Sequence, residues 1–282
     1  MCSDHIIYLT SSGNQDLFPT NNPGRFVNRL SSPIILDNNI NYEIGLISIL
    51  YPDQYYAILA NDDEYALTLF TEQSGVETHA LKVEIGQNVL AGDIGKIVKI
   101  VNNNLISYMK AHYHTFYHHL FAKNEKILKW NETLRRVEIN RKDGVTTKPL
   151  IKHIEEIYIT MNPRLAAILG FPHNRMHTIY SKNQPSGSYT STLPPSPRCG
   201  VDYIYMYTDI IQPSNFGGQL VSILDCFTLQ NGGNKGIHNS VYKSLNTSFI
   251  DQISVDIRDQ KGRPIHFIDD STLTCVLHIR PK

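Results

Sequence analysis

At 282 residues the chain is long enough to bury roughly three quarters of the surface it exposes when unfolded, so one large core or two moderate ones need no covalent staples. Its 26 basic and 26 acidic residues cancel, and only 18% of its residues are charged, against about 25% in ordinary domains. Bulk electrostatics of this kind exclude nucleic acid as the main partner, while sixteen Tyr suit either an interface or a β-sandwich. The four cysteines, Cys2, Cys199, Cys226 and Cys275, form no CxxC pair; Cys226 and Cys275 lie in apolar runs and read as buried small hydrophobes. The segment Met1–His5 has neither the basic nor the apolar region of a secretory signal, and no stretch approaches 18 apolar residues. Synthesis in a reducing compartment without membrane insertion is expected, and the glycosylation patterns at Asn131 and Asn246 are then fortuitous.

In chain order, residues 5–10 read as a first strand. The polar stretch from Ser11 to Gly24 reads as an extended arm or loop that contributes nothing to a core. Strands follow at 25–30, 34–36 and 42–50, the last apolar on both faces and so suited to the centre of a sheet. Tyr65–Phe70 and His79–Ile85 predict a hairpin around Ser74-Gly75. Leu90, Ile94, Ile97, Val98, Val101, Leu105 and Tyr108 then recur every three or four residues, one stripe of an amphipathic helix that must lie on a sheet. Lys96, Lys99, Asn102 and Asn103 occupy its opposite face, too few cations for an anionic membrane. Residues 127–139, broken at Asn131-Glu132, predict two strands, with Asp143-Gly144 as a hairpin turn. Asn162-Pro163 through Gly170 carries the signals of a short helix: Asn as N-cap, Pro at the first position, Gly past the end. Ser181–Gly200, with four Pro and five Ser, predicts a long exposed loop.

The last third has the clearest period. Ile253, Val255 and Ile257 alternate with Ser254, Asp256 and Arg258, and Leu273, Cys275, Leu277 and Ile279 alternate with Thr272, Thr274, His278 and Arg280, the two-residue repeat of half-buried strands. Between them Asp259-Gln-Lys-Gly262 predicts a turn. Short strands, polar turns and two helices grouped in the middle give an all-β sandwich carrying a helix-containing insertion. The predicted division is 1–87 for the N-terminal strands, 88–200 for the insertion and 201–282 for the strands that complete the sandwich.

The chemistry of catalysis is absent from the motifs. There is no GxGxxG, HExxH or GxSxG, and the Gly95-Lys96 pair has Leu90 where a phosphate-binding loop needs Gly. His112, His114, His118 and His119 have spacings that suit a metal, yet no Cys or acidic residue lies among them, so no metal or other cofactor is expected. Asp209, Asp225, Asp256 and Asp259 read as strand-end and turn residues rather than a hydrolytic pair. The Asn231–Gly236 loop precedes no predicted helix and reads as a flexible surface turn rather than an anion cradle. No catalytic, cofactor or metal residue is assigned.

Tyr203–Pro213, Ile253–Pro264 and Leu277–Arg280 resemble the minor capsid proteins of Polinton (Maverick) elements and related viruses. Phe18–Asn22, Phe26, Leu30, Pro33-Ile34, Tyr42–Leu46, Tyr51-Pro52 and Leu165–Phe171 carry the resemblance through the N-terminal half and the middle. It implies a single jelly roll, a non-enzymatic penton that assembles as a homopentamer, and a place at the fivefold vertices of an icosahedral capsid. It also implies a double-jelly-roll major capsid protein as neighbour and residence in the virion after synthesis in the host cytoplasm. An alternative kept from the residues is a carbohydrate- or receptor-binding sandwich at the virion surface, for which the single Trp130 lies in a charged strand of the middle segment.

Overall fold

The computed structural model describes residues 4–282 except 61, 74–75, 113–125, 144–153, 174, 197, 199, 230–233, 237–239 and 269. The chain divides into two compact units, one made of Met1–Tyr55 with Val201–Lys282, the other of the continuous segment Tyr56–Gly200. Residues 56–87, which the sequence groups with the N-terminal strands, therefore belong to the inserted unit.

The chain opens with β1 (His5–Thr10), β2 (Arg25–Ile35) and β3 (Tyr42–Leu50). Ser31-Ser32-Pro33, which the sequence suggests as a break, lies inside β2; the pairing of β2 slips there by accommodating extra residues between Arg29 and Ile34, which is how an edge strand tolerates Pro.

The inserted unit follows with β4 (Tyr56–Ile58), β5 (Leu67–Gln73), β6 (Val76–Val83), β7 (Val89–Leu90), α1 (Ile94–His112), β8 (Leu128–Asn131), β9 (Arg136–Asp143), β10 (Ile154–Met161), α2 (Pro163–Leu169), β11 (His177–Ser181) and β12 (Gly187–Thr190). Its sheet has the order β12-β9-β11-β10-β5-β6 with β8 beside β9, while β4 pairs with β7. Helix α1 buries Ile94, Ile97, Val98, Val101, Leu105 and Met109 in one cluster with Leu67, Leu69, Ile139 and Ile159 of the sheet. Its predicted stripe is met except at the ends, where Leu90 belongs to β7 and Met109, not Tyr108, is fully buried. Asn102, placed by periodicity on the polar face, is 3% exposed. Its Oδ1 accepts the N–H groups of Ile127 and Leu128 at 2.9 and 3.0 Å, so the buried amide anchors the entry to β8 and is satisfied as a buried polar group must be.

Helix α2 starts at Pro163 with Asn162 in the cap position, but the Asn162 side chain makes no cap bond; it donates to the Asp63 carbonyl instead. The helix ends as the sequence predicts. Gly170 is left-handed at φ 79°, and a Cβ there would meet the Leu193 carbonyl oxygen at 2.2 Å, so both conformation and space demand Gly. Part of the Ser181–Gly200 loop is ordered as β12, antiparallel to β9 from Gly187↔Arg141 to Thr190↔Glu138. Its low β-propensity is overridden by pairing, as tertiary context permits. The hairpin around Ser74-Gly75 has its tip outside the described residues, although β5 and β6 pair antiparallel as predicted. Gly144 lies outside them as well, and the hairpin expected at Asp143-Gly144 does not form, since β11 lies between β9 and β10 in the sheet.

The chain returns through β13 (Tyr203–Thr208), a small hairpin of β14 (Ser214–Phe216) and β15 (Gln219–Val221), then β16 (Ile223–Thr228), β17 (Asn234–Gly236), β18 (Lys243–Ser244), β19 (Phe249–Asp259) and β20 (Thr274–Pro281). Asn234–Gly236, expected in a flexible turn, is a strand paired with Ser48–Leu50, while 231–233 lie outside the described residues. One sheet is ordered β1-β20-β3-β17, with β18 continuing beside β3; the other is β16-β13-β19-β2.

Taking β17 and β18 as one interrupted strand, the eight strands in order of sequence form sheets 1-8-3-6 and 2-7-4-5. First pairs with last, second with seventh, third with sixth, fourth with fifth. That is the order obtained by rolling one long antiparallel hairpin into two facing sheets, the jelly roll. The fold is thus all-β, a single jelly roll interrupted between its third and fourth strands by the helix-containing unit. Each sheet offers one apolar face: Ile253, Val255 and Ile257 on β19 and Cys275, Leu277 and Ile279 on β20 are all at 0% exposure. Burial pushes the Cys275 thiol up to about 12, so it behaves as a hydrophobe. Cys226, expected to be buried, is exposed on β16, because the register shift opposite Met206/Tyr207 resets the alternation and leaves Leu224 and Phe227 inside.

Residues 11–24 are not an extended arm. Asparagines fold them back onto β2. The Asn21 amide accepts from the Val27 N–H and donates to the Val27 carbonyl, both at 2.9 Å, Asn14 Oδ1 accepts the Arg29 N–H at 2.9 Å, and Asn22 and Arg25 exchange backbone bonds. Side-chain amides thereby imitate a missing strand along the open edge of β2, a local cover of the kind that keeps edges from pairing with other chains. On the inner side Asn28 performs the same act between sheets: it accepts the Thr10 N–H at 2.7 Å and donates to the Thr10 carbonyl at 3.0 Å.

Two substitutions test this architecture. Val255→Asp places an unpaired carboxylate between the sheets and should cost roughly 4 kcal/mol or more; a melting temperature within a degree or two of the parent's would show that β19 does not face the core. Asn28→Ala strands the Thr10 N–H and leaves the Thr10 carbonyl with the Gly13 N–H alone, and should lower stability by about 1–3 kcal/mol. Urea unfolding should register that as a lower midpoint with unchanged slope, and an unchanged midpoint would deny the amide its closing role.

Candidate assembly surfaces

The carboxylates singled out in the sequence are engaged in holding strands. Asp259 is 1% exposed and accepts the Lys261 and Arg263 N–H groups at 2.8 and 2.9 Å and a two-pronged guanidinium from Arg263 at 2.8 and 2.6 Å. It ties off the turn after β19: Oδ1 takes the two backbone N–H groups and Oδ2 both guanidinium donors, charge-assisted bonds of the strong kind. Asp209 accepts the Ser254 N–H at 2.9 Å. Asp256 holds Arg258 at 2.6 Å, and the Arg258 guanidinium lies 5.2 Å from the centre of the Tyr207 ring; the Asp256 hydrogen bond raises the Arg258 pKa. Asp225 accepts the Cys226 N–H at 2.7 Å. The four do not converge on one point, and each has a structural use. Of the histidine cluster only His112 lies among the described residues, its Nδ1 3.0 Å from the Tyr108 carbonyl and its ring stacked on Tyr108 at 4.0 Å. Among the described residues no group of three His, Cys, Asp or Glu is placed to hold a metal, and no helix is long and apolar enough to cross a membrane.

On the outer face of the first sheet, cross-strand pairs form a ladder. Arg280 reaches Glu43 at 2.7 Å and lies 3.6 Å over the Tyr242 ring, whose hydroxyl is 2.8 Å from His278 Nδ1. The Glu43 hydrogen bond raises the Arg280 pKa. These contacts fix the β18–β3–β20 surface as packed aromatic and charged side chains, each engaged with its neighbour.

Of the apolar side chains left uncovered on the jelly-roll unit, Ile6, Tyr8 and Ile35 lie on the edge strands β1 and β2 and Phe216 and Leu220 on the β14–β15 hairpin, while Leu50, Tyr203 and Phe249 lie on inner strands. β1 and β2 are the open strands of one side, and between them runs a groove of about 510 Å³ lined by Ile6, Tyr8, Asn28, Arg29, Leu30 and Ile34 among others. Ile6 is 60% and Tyr8 73% exposed. Thr10 directs its N–H and carbonyl away from β20 toward Asn28; alternate residues of an antiparallel strand point alike, so the backbone groups of Ile6 and Tyr8 also face the open edge. The other side is formed by β16, β17, β18 and the β14–β15 hairpin. A pocket of about 370 Å³ is lined there by Tyr205, Phe216, Ile223, Asp225, Val241 and Lys243 among others. Phe216 packs edge-on to Tyr205 at 5.5 Å. Leu220, paired with Asn215 across the hairpin, stands 77% exposed, and Val241 is 53% exposed. Gly217 and Gly218, at φ 57° and 84°, supply the two positive values of the tightest hairpin turn. The Gly217-Gly218 dipeptide is the sequence signal of this hairpin.

In the inserted unit a Cβ on Gly95 would meet the Trp130 ring at 3.4 Å, and Trp130 borders a cleft of about 490 Å³ with Asp93, Glu132, Arg135, Arg136 and Pro194. Asp93 already caps α1 by accepting the Lys96 N–H at 3.1 Å.

No family model matches the chain, and no curated protein matches it. Among solved structures the chain is similar to the crystal structure of the mavirus penton protein, at 13% identity and a TM-score of 0.49, over 99% of this chain and 100% of that one.

Proposed function

We propose that this chain is a structural virion protein, the penton subunit that closes the fivefold vertices of an icosahedral capsid as a homopentamer. The observation that carries the reading is the eight-strand order 1-8-3-6 and 2-7-4-5, an architecture used by viral capsid proteins. The resemblance of its strand motifs to Polinton-type minor capsid proteins supports it. So does the disposition of its polar groups, which among the described residues are spent on turns, edges and cross-strand pairs and do not bring an acid, base and nucleophile together. In this role the chain is not an enzyme; its partners are further copies of itself and a double-jelly-roll major capsid protein, and it resides in the virion.

The test is size-exclusion chromatography with light scattering on the purified chain. A mass of five times the 32.1 kDa protomer is expected at high concentration, together with recovery in particles when the major capsid protein is co-expressed. A chain that remains monomeric throughout and never enters particles refutes the reading.

A second reading, capture of a glycan by the inserted unit, is favoured by the cleft at Trp130, which combines an aromatic face with Glu132 and two guanidinium-bearing residues, the mixture that suits a sugar. Because Trp130 is the chain's single Trp, its emission reports on the cleft alone. Titration with a panel of soluble host-type oligosaccharides should shift or quench that emission, and Arg136→Ala should weaken the response; an emission that no sugar in the panel alters disposes of this reading.

A further inference from the structure

We infer that the ring is built by a head-to-tail contact in which the β14–β15 hairpin side of one jelly roll seats in the β1/β2 groove of the next; this rests on the pentamer reading above. A cyclic assembly with more than two members requires two different, complementary patches on each copy. The jelly-roll unit carries two such patches on its two different pairs of open strands. One is concave, the groove bordered by Ile6 and Tyr8 on β1 and by Leu30 and Ile34 on β2. The other bears the exposed Leu220 on its hairpin and the pocket lined by Phe216 and Val241.

Charge fits the same pairing. Arg29 is the one charged side chain lining the groove, and among the described residues it makes no ion pair. The opposite patch contributes Asp225 and Lys243, of which the carboxylate is the group that complements Arg29. Main-chain capacity agrees as well. Asn14, Asn21 and Asn22 cover the edge of β2 from Arg25 to Arg29, whereas the edge of β1 at Ile6 and Tyr8 is left open. The hairpin therefore adds its free edge to β1 and is kept off β2, a strand addition with the register limited to one side of the groove.

The experiment uses two full-length variants at exposed positions, Tyr8→Glu in the groove and Leu220→Glu on the hairpin, with circular dichroism and melting to show that both retain the parent fold. Each variant alone should lose the pentamer. Mixed, the intact hairpin of the Tyr8→Glu copy meets the intact groove of the Leu220→Glu copy, and sedimentation should show a one-to-one pair that cannot close into a ring. Arg29→Asp and Asp225→Arg should each weaken the ring, and the double variant should restore it. A parent pentamer that both Glu variants leave intact, or that they abolish without any pair forming in the mixture, overturns this assignment of surfaces and leaves the pentamer reading standing. A parent that forms no ring removes both.

Discussion

The structure depends on β20. Strand β20 lies between β1 and β3, pairing His5 with Ile279 on one side and Tyr42 with Pro281 on the other, so the first sheet does not exist until the last residues have joined the first. Its inward residues Cys275, Leu277 and Ile279, with Leu273 just before it, are at 0% exposure, and each buried Leu or Ile side chain contributes roughly 1.5–3 kcal/mol of transfer free energy. Ser11 locks the entry to β20 from outside the ladder, donating its N–H to the Leu273 carbonyl and accepting the Leu273 N–H on its hydroxyl. The other nonlocal pairings of the roll, second strand with seventh and third with sixth, join segments that are also far apart in the chain.

Around this frame polar chemistry is used for construction. Asparagine does most of it. Asn21 and Asn28 each bond to both the N–H and the carbonyl of one residue, which only a side-chain amide can do with a single flat group, and Asn102 performs a related act for β8 within the inserted unit. The carboxylates behave alike. Asp259, nearly devoid of solvent, is tolerable because four donors surround it; removing Arg263 would leave a buried unpaired charge, which costs far more than the pair itself returns. A surface low in charge and rich in amides and Tyr is therefore the outward side of a molecule that commits many of its ionic groups, Asp259, Arg263, Asp256 and Arg258 among them, to turns and cross-strand pairs.

Much of the roll was legible because burial on one face writes a two-residue period into β19 and β20, and because Asn162-Pro163 and Gly170 bracket α2. What was not legible has a common physical origin. β12 and β17 are weak strands by composition, ordered by partners more than forty and one hundred and eighty residues away in the chain, which no local pattern encodes. The polarity of 11–24 forbids a core and suits an extended arm or a loop alike, but asparagine density also signals backbone mimicry, and only the positions of Val27 and Arg29 decide for the loop. Asn102 sits on a helix face that periodicity calls polar, yet that face meets the start of β8. For the candidate surfaces the exposed Ile6 and Tyr8 follow from the alternation of β1, whereas the exposure of Cys226 depends on a bulge opposite β13 that the sequence does not announce.

The inserted unit is one unbroken segment with a core drawn entirely from its own residues. During synthesis it is therefore complete while β1, β2 and β3 still lack most of their partners. At about 5–20 residues per second the ribosome needs on the order of ten seconds more to deliver β13 through β20. Throughout that interval three apolar strands wait unpaired, and the folded insertion tethers them at their downstream end. The order of events on the ribosome is thus the inverse of the order in the chain, the middle maturing first and the two termini together at the last.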